Sequence, residues 1–364
     1  MRIAILSHAC ARFGHQYARA FAACGHEAEV WSLSGRTQSD PQPVRLVGPP
    51  GFDPLESDAR LVPYLRCVSG VRRAVRKLKP DILFALYLTS AGVVAGLSGH
   101  PRVVVSAQGS DVNDHAGSRT WRAVLAWLGR RACLVHAVSD QLACTLRDRI
   151  GMPADKLLVA PIGVDTRLLP LVDPGSRPGR GEIVCTRAHA KVYDHATLLR
   201  AMVRLKQAGV RGRLLFTNKL MVGSTKSLVH ELGLEDVVAF RDGYELAELP
   251  EILTGADVYV SSSLADGTSQ SLLEAMATGT FPVVTDIPAN RPWVEHGRNG
   301  FLFPAGDDVA LAACLAEALS RPDLRAAAGP IGRALVVERG ELCANSGVLL
   351  EAFQRCLQEA VCSR

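Results

Sequence analysis

Apolar positions along the chain fall into short runs separated by longer amphipathic stretches. RIAILS (2–7) reads as a strand, FGHQYARAFAACG (13–25) as a helix ending at Gly25, and EAEVWSL (27–33) as a second strand. That succession opens a βαβ unit and so a parallel sheet. DILFAL (81–86), RVVVSA (102–107) and CLVHAVS (133–139) are nearly continuous apolar runs, as expected of strands covered by helices on both faces. The stretch LLPLVDPGSRPGRG (168–181) then concentrates Pro, Gly and charge and reads as a linker. After it the alternation restarts: EIVCTR, RLLFTN, DVVAFR and VYVSSS as strands, with HATLLRAMVRLKQAG, KSLVHELG and ELAELPEILTGA as helices between them. The pattern predicts an α/β protein of two Rossmann-like doubly wound halves, residues 1–168 and 169–344.

Length agrees, because 364 residues exceed what one core usually organises. A composition of 48% hydrophobic and 21% charged residues is that of a globular protein. No run reaches 18 apolar residues, and only five residues separate the hydrophobic start from His8, too few for the h-region of a signal peptide. A cytoplasmic protein is expected. The ten cysteines contain no C-x-x-C pair, so reduced core fillers are expected and a zinc site is not. The net charge of +5 is uneven: residues 1–168 carry 21 Lys and Arg against 13 Asp and Glu, while the remainder is slightly acidic. Basic residues in the first half are not interleaved with aromatics, which argues against nucleic acid. The first strand is not followed by G-x-G-x-x-G, which argues against a nicotinamide enzyme.

The segment SSSLADGTSQSLLEAMATGTFPVVTD (261–286) holds the most suggestive chemistry. Asp266 and Glu274 stand eight positions apart, and eight residues of continuous helix would rise about 12 Å. Glycosidase carboxyl pairs sit about 5 to 5.5 Å or about 6.5 to 9.5 Å apart, so an acid–base pair fits poorly. Two contacts on opposite ends of one long ligand fit better. Between them the turn Gly267, Thr268, Ser269 and Gln270 leads into SLLEAMA and would turn backbone N–H groups toward an anion, although N-capping by Thr268 or Ser269 would leave the same sequence. Arg187 and Lys191 stand near another helix start, where positive side chains oppose the dipole and call for an anionic partner.

With these residues in view, Val184 to Asp307 resembles the C-terminal domain of retaining GT-B glycosyltransferases of family 4. The family's E-x7-E element reads Asp266-x7-Glu274, followed by AMATGTFPVV and EHGRNGFLFPAGD. The likeness continues in order through GHEAEVWSL, KPDILFALYLTSAG, QGSDV, AVSDQLACTLRDRIGMPADKLLVAPIGVD and GLEDVVAFRDGY. It implies two domains facing a central cleft, with the helix from about 345 to 364 crossing back onto the first. It further implies retaining transfer of a sugar from a UDP- or GDP-sugar to a hydroxyl of a glycan, lipid-linked or small-molecule acceptor, with no metal and no cofactor beyond the donor. Glu274 would meet the ribose hydroxyls and Asp266 the sugar. Arg187, Lys191 and the amides of Gly267 to Ser269 would meet the diphosphate, and the loop from Arg241 to Tyr244 the base.

Four positions depart from the family pattern. Asp266 replaces the commoner Glu, Lys191 follows Arg187 by four rather than five, Gln108 stands where a histidine is frequent near the reacting carbon, and Pro292 replaces a glutamate. Gln108 can hydrogen-bond but cannot act as acid or base. In the loop SHACARFGHQ (7–16), Gly14 would let backbone approach phosphate or sugar, with His8 and His15 as weaker candidates. Residues 64–80 and 119–131 read as helices with an apolar stripe and a basic face. Packing on their own sheet is the simpler reading; peripheral contact with anionic lipid at the inner face of the plasma membrane is the sharper one. A sugar-nucleotide epimerase of the same fold and a non-catalytic nucleotide-sugar-binding subunit are the rival functions.

Overall fold

In the computed structural model, which describes residues 1–8, 12–35, 44–52, 61–172, 179–218 and 222–362 (side chains to 358), the alternating runs become two parallel sheets. The first is built from β1 (Arg2–Ser7), β2 (Glu27–Ser32), β3 (Val44–Leu46), β4 (Ile82–Leu86), β5 (Val103–Ala107), β6 (Leu134–Ala137) and β7 (Leu157–Val159). Their order is β3-β2-β1-β4-β5-β6-β7. Every residue of β4 and β5 is buried, which is why both read as unbroken apolar runs. The second sheet contains β8 (Glu182–Cys185), β9 (Arg213–Phe216), β10 (Val238–Phe240), β11 (Val258–Ser261), β12 (Phe281–Thr285) and β13 (Phe301–Phe303). Its order, β10-β9-β8-β11-β12-β13, repeats the doubly wound pattern, in which the strand order reverses beside the first strand.

The chain divides into two compact units, Met1–Ile162 with Leu342–Arg364, and Gly163–Glu341. Residues just after 162 belong to the second unit for local reasons. Val164 pairs with Glu341, and Arg333 donates to the carbonyls of Thr166 and Leu169. Of the stretch read as a linker, residues 173–178 lie outside the described residues. The C-terminal helix, Leu342–Cys362, packs within the first unit, where Phe353 meets Phe21 and Phe84 at ring-centroid distances of 5.7 and 5.4 Å. No disulfide joins the cysteines whose side chains are described, and no described helix is long and apolar enough to cross a membrane.

Two buried histidines make stability depend on pH. Burial lowers both His136 and His195 from 6.5 to about 4, with neighbouring His189 adding to the effect on His195. An unfolded histidine takes its proton near 6.5, the folded one only near 4. Between those values the unfolded chain binds more protons, so stability rises with pH across the window and falls on acidification. A loss of about 2 kcal/mol per histidine is expected between pH 7 and pH 5. Urea midpoints at the two pH values measure it, and equal midpoints would contradict the assignment.

Candidate active site

The carboxyl ends of β8 and β11 place Arg187, Asp266 and Ser269 together. β11 runs into the loop that bears Asp266, and helix Gln270–Ala277 follows. Ser269 is its N-cap, with the Ser269 side chain accepting from the Leu272 N–H. The cap therefore falls on one of the two residues that sequence offered. Because residues 266 to 269 are not helical, the continuous-helix spacing of Asp266 and Glu274 does not apply.

Arg187, just past β8, organises this loop. It donates to Asp266 Oδ2 at 2.6 Å, to Ser269 Oγ at 3.2 Å and to Ser271 Oγ at 3.0 Å, while its guanidinium lies 4.1 Å from the Tyr193 ring centroid. Tyr259 donates to Ser271 Oγ from behind at 2.7 Å. The Arg187–Asp266 pair is largely enclosed, with side-chain exposures of 11% and 16%. Burial works against the Arg187 charge, but Asp266, Tyr193, Tyr259 and Cys185 outweigh it and hold the group above its ordinary range. The Arg187 Nε is buried with no partner, so this cation keeps an unspent donor. Sequence gave Arg187 and Asp266 to phosphate and sugar separately; in the structure they are one ion pair.

Other expectations change in detail. The Gly267 N–H is directed to Asp266 Oδ1 at 2.9 Å, because the carboxylate folds back on its own turn. The Gln270 amide donates to the Gly163 carbonyl at 2.9 Å and so ties down the start of the unit. Thr268 is buried in the turn, and Glu274 is buried inside the helix at 2% exposure. Lys191 opens a 3-10 turn, Lys191–Tyr193, rather than the helix His195–Gln207; it is exposed and makes no hydrogen bond or ion pair among the described residues. Tyr244 is half-buried against the apolar cluster that includes Leu246 and Leu249. Arg241, in the same loop, pairs with Glu248. Pro292 is exposed, and its carbonyl accepts from Arg339.

Gln108 and Gly14 belong to the other unit. Gly14 lies in helix Arg12–Ala23 rather than in a loop, and a Cβ there would meet Ser7 Cβ at 3.3 Å, so the close approach it permits is to β1. His15 is buried in the same helix, and His8 packs edge-on against Tyr64. Residues 9–11 of that segment lie outside the described residues. Gln108 follows β5, and its backbone N–H and that of Gly109 both reach Asp111 Oδ1, at 3.0 and 2.9 Å. Asp111 Oδ2 accepts from Leu88 N–H at 2.7 Å, joining the loops after β4 and β5. Burial pushes the Asp111 carboxyl up, against these N–H groups that lower it. Gly109 has φ of 131°, which only glycine adopts readily. Sequence reasoning passed over Asp111, Ser271 and Tyr193. The signal for Asp111 was its place three residues after Gln108, in reach of the preceding N–H groups.

Comparison with known proteins bears on the family and the fold. Residues 173–335 match the model for glycosyl transferases group 1, and residues 11–168 that for glycosyltransferase family 4. The MMP alpha-(1->4)-mannosyltransferase of Mycolicibacterium hassiacum is 30% identical over 61% of this chain and 57% of its own length. The chain thus spans little more than half the length of the curated relatives it matches first. Among solved structures, the sucrose-phosphate synthase of Thermosynechococcus elongatus superposes with a TM-score of 0.85 at 19% identity, covering 99% of this chain and 100% of that one. Anabaena HepE, in complex with UDP and glucose, gives 0.79 at 18% identity, covering 97% and 99%. Two consecutive family models over most of the length, on two doubly wound units, establish that this chain belongs to the family 4 glycosyltransferases of GT-B fold.

Proposed function

We propose that the protein transfers a sugar, with retention at the anomeric carbon, from a UDP- or GDP-sugar to a hydroxyl of a glycan, lipid-linked or small-molecule acceptor. The observation that carries this reading is Arg187: a cation enclosed among Ser269, Ser271, Asp266 and Tyr193, with one N–H unspent, close in sequence to the unpartnered Lys191. An enclosed cation with an exposed one four residues on suits a diphosphate. Their task is to stabilise charge on the departing group, and preorganised donors of this kind contribute about 3 to 4 kcal/mol to a barrier. A diphosphate stabilised in this way needs no metal. Glu274 takes the ribose hydroxyls, Asp266 the sugar, and the Arg241–Tyr244 loop the base. The names of relatives, among them mannosyltransferases using GDP-mannose and a structure holding UDP and glucose, support a nucleotide-sugar donor.

Titration calorimetry with UDP, GDP and ADP tests the reading. One diphosphate is expected to bind with micromolar affinity, and Glu274→Ala to weaken it about tenfold or more through loss of the ribose contact. Absence of binding to all three would reject the donor site and favour a non-catalytic subunit.

The basic first unit is proposed to touch anionic lipid at the cytoplasmic face of the membrane. Val62 and Leu65 are exposed beside Arg66, and helix Val68–Leu78 exposes Arg72, Arg73, Arg76 and Lys77. Salt-sensitive flotation with anionic but not neutral liposomes is the expected result. Equal recovery from both would remove the membrane role.

A further inference from the structure

One serine oxygen of the second unit joins β8, β11 and a helix start. Ser271 lies in the first turn of helix Gln270–Ala277, and its Oγ accepts from Arg187 at 3.0 Å and from the Tyr259 hydroxyl at 2.7 Å. Arg187 comes from just past β8, whereas Tyr259 sits inside β11, paired with Val184 of β8 on one side and Pro282 of β12 on the other. Tyr259 is completely buried in close-packed surroundings, so its ring cannot move to follow Ser271. Ser271 must turn to Tyr259. Burial also pushes the Tyr259 phenol up, so the hydroxyl keeps its hydrogen across the neutral range.

A serine hydroxyl left to itself rotates among staggered positions and bonds to nearby backbone. The Tyr259 hydroxyl selects the position in which Ser271 faces Arg187. The guanidinium is held on its face and along its edge. Tyr193 covers the face at 4.1 Å, and Ser262 donates to the Tyr193 and Asp194 carbonyls at 2.8 and 3.0 Å, fastening that turn to the loop after β11. Stacking fixes the plane of the guanidinium and leaves rotation within the plane open. That rotation is set by the edge contacts, Asp266 on one terminal nitrogen and Ser269 with Ser271 on the other. Asp266 stands on a loop, and Ser269 Oγ is shared with the Leu272 N–H. Ser271, backed by a core tyrosine, is the edge contact tied to the sheet.

We propose that Tyr259 is a positioning residue: through Ser271 it fixes the angle at which Arg187 meets the diphosphate of the donor. The inference rests on the nucleotide-sugar reading above. On that reading Asp266 also serves the sugar, and the serine contacts are what keep the cation aimed at the phosphates. A small misplacement of such a donor is costly, because its worth lies in being preorganised.

The test uses the full chain and calorimetry with UDP and GDP. Tyr259→Phe, which removes only the hydroxyl, is expected to weaken the diphosphate that the wild type binds by about fivefold or more. In the Arg187→Ala background the same change is expected to cost less than about twofold, because no cation is left to aim. Ser271→Ala is expected to match Tyr259→Phe, and the double variant to bind within about twofold of either. Ser271→Ala leaves Tyr259 in the core, so it carries the test if Tyr259→Phe does not fold. Without any ligand, nitrogen-15 NMR should find the Arg187 guanidinium hydrogens exchanging with water faster in either single variant than in the wild type. A loss of the same size in both backgrounds marks Tyr259 as structural support alone and overturns the proposal. Wild-type affinity in Ser271→Ala overturns it too. Failure of UDP and GDP to bind the wild type is a different result: it rejects the nucleotide-sugar reading, while unchanged guanidinium exchange would by itself reject Tyr259 as the residue that orients Arg187.

Discussion

Arg187→Ala is expected to weaken nucleoside diphosphate binding by about 100-fold or more, equivalent to about 2.7 kcal/mol, the scale of one or two charge-assisted hydrogen bonds. The loss has two parts. The phosphate loses its enclosed cation, and Asp266, whose Oδ2 lies 2.6 Å from Arg187, becomes an unneutralised carboxylate in the same pocket. Asp266→Asn separates them. It removes the negative charge while Arg187 keeps Ser269 and Ser271. Diphosphate affinity should then hold or rise, while sugar transfer falls. Arg187→Lys should lie between, because an ammonium replaces the charge but cannot reach Asp266 and both serines at once as the planar fork does. Calorimetry on the three variants, with melting temperatures as a control for folding, reads the outcome. Equal affinity in Arg187→Ala and the wild type would remove Arg187 from the donor site.

The fold was legible wherever burial was two-sided. β4 and β5 appear as ILFAL and VVVSA because neither face meets water, and the same order of strands and helices recurs in the second unit. The segment YLTSAG was not legible. Its π-helical turn, Tyr87–Gly92, has its Leu88 N–H bound by the carboxylate of Asp111, 23 residues away, a contact that no local period encodes. The site was legible as a set of residue types and opaque as a set of pairs. Arg187 and Asp266 are 79 positions apart, and only the placement of β8 beside β11 brings them together. Thr268 and Ser269 are both competent caps, so composition left two helix starts open; the Ser269 side chain on Leu272 N–H decides between them. Gln108 was legible only as a departure from a family pattern; that its side-chain amide meets Ser106 Oγ at 2.5 Å, and Ser106 Oγ meets His136 Nδ1 at 2.7 Å, was not.

The other arginine with a large expected effect acts at the opposite end of β8. Asp257 Oδ2 accepts from the N–H groups of Gly181 and Glu182, at 2.9 and 3.1 Å, and so fastens the start of β8 to that of β11. Asp257 Oδ1 accepts from Arg325 at 3.3 Å, and Arg325 also donates to the carbonyls of Ala318 and Leu319 at the end of helix Asp308–Ser320. Both side chains are enclosed, with 8% and 1% exposure for Arg325 and Asp257. Arg325→Met leaves a buried carboxylate without its cation and two helix-end carbonyls without their donor, so a loss of about 3 to 5 kcal/mol is expected. For a unit of this size that lowers the melting temperature by about 10 °C or more. The double variant Asp257→Asn with Arg325→Met should lose less than the sum of the single variants, because the charge left behind is also gone. A melting temperature for Arg325→Met within about 3 °C of the wild type would refute the buried pair as a support of the unit. Below its transition Arg325→Met should still bind nucleoside diphosphate as the wild type does, whereas Arg187→Ala should remain folded and fail to bind. The two ends of one strand then divide the work: the start of β8 is fastened for stability, and its carboxyl end holds the charge that meets the ligand.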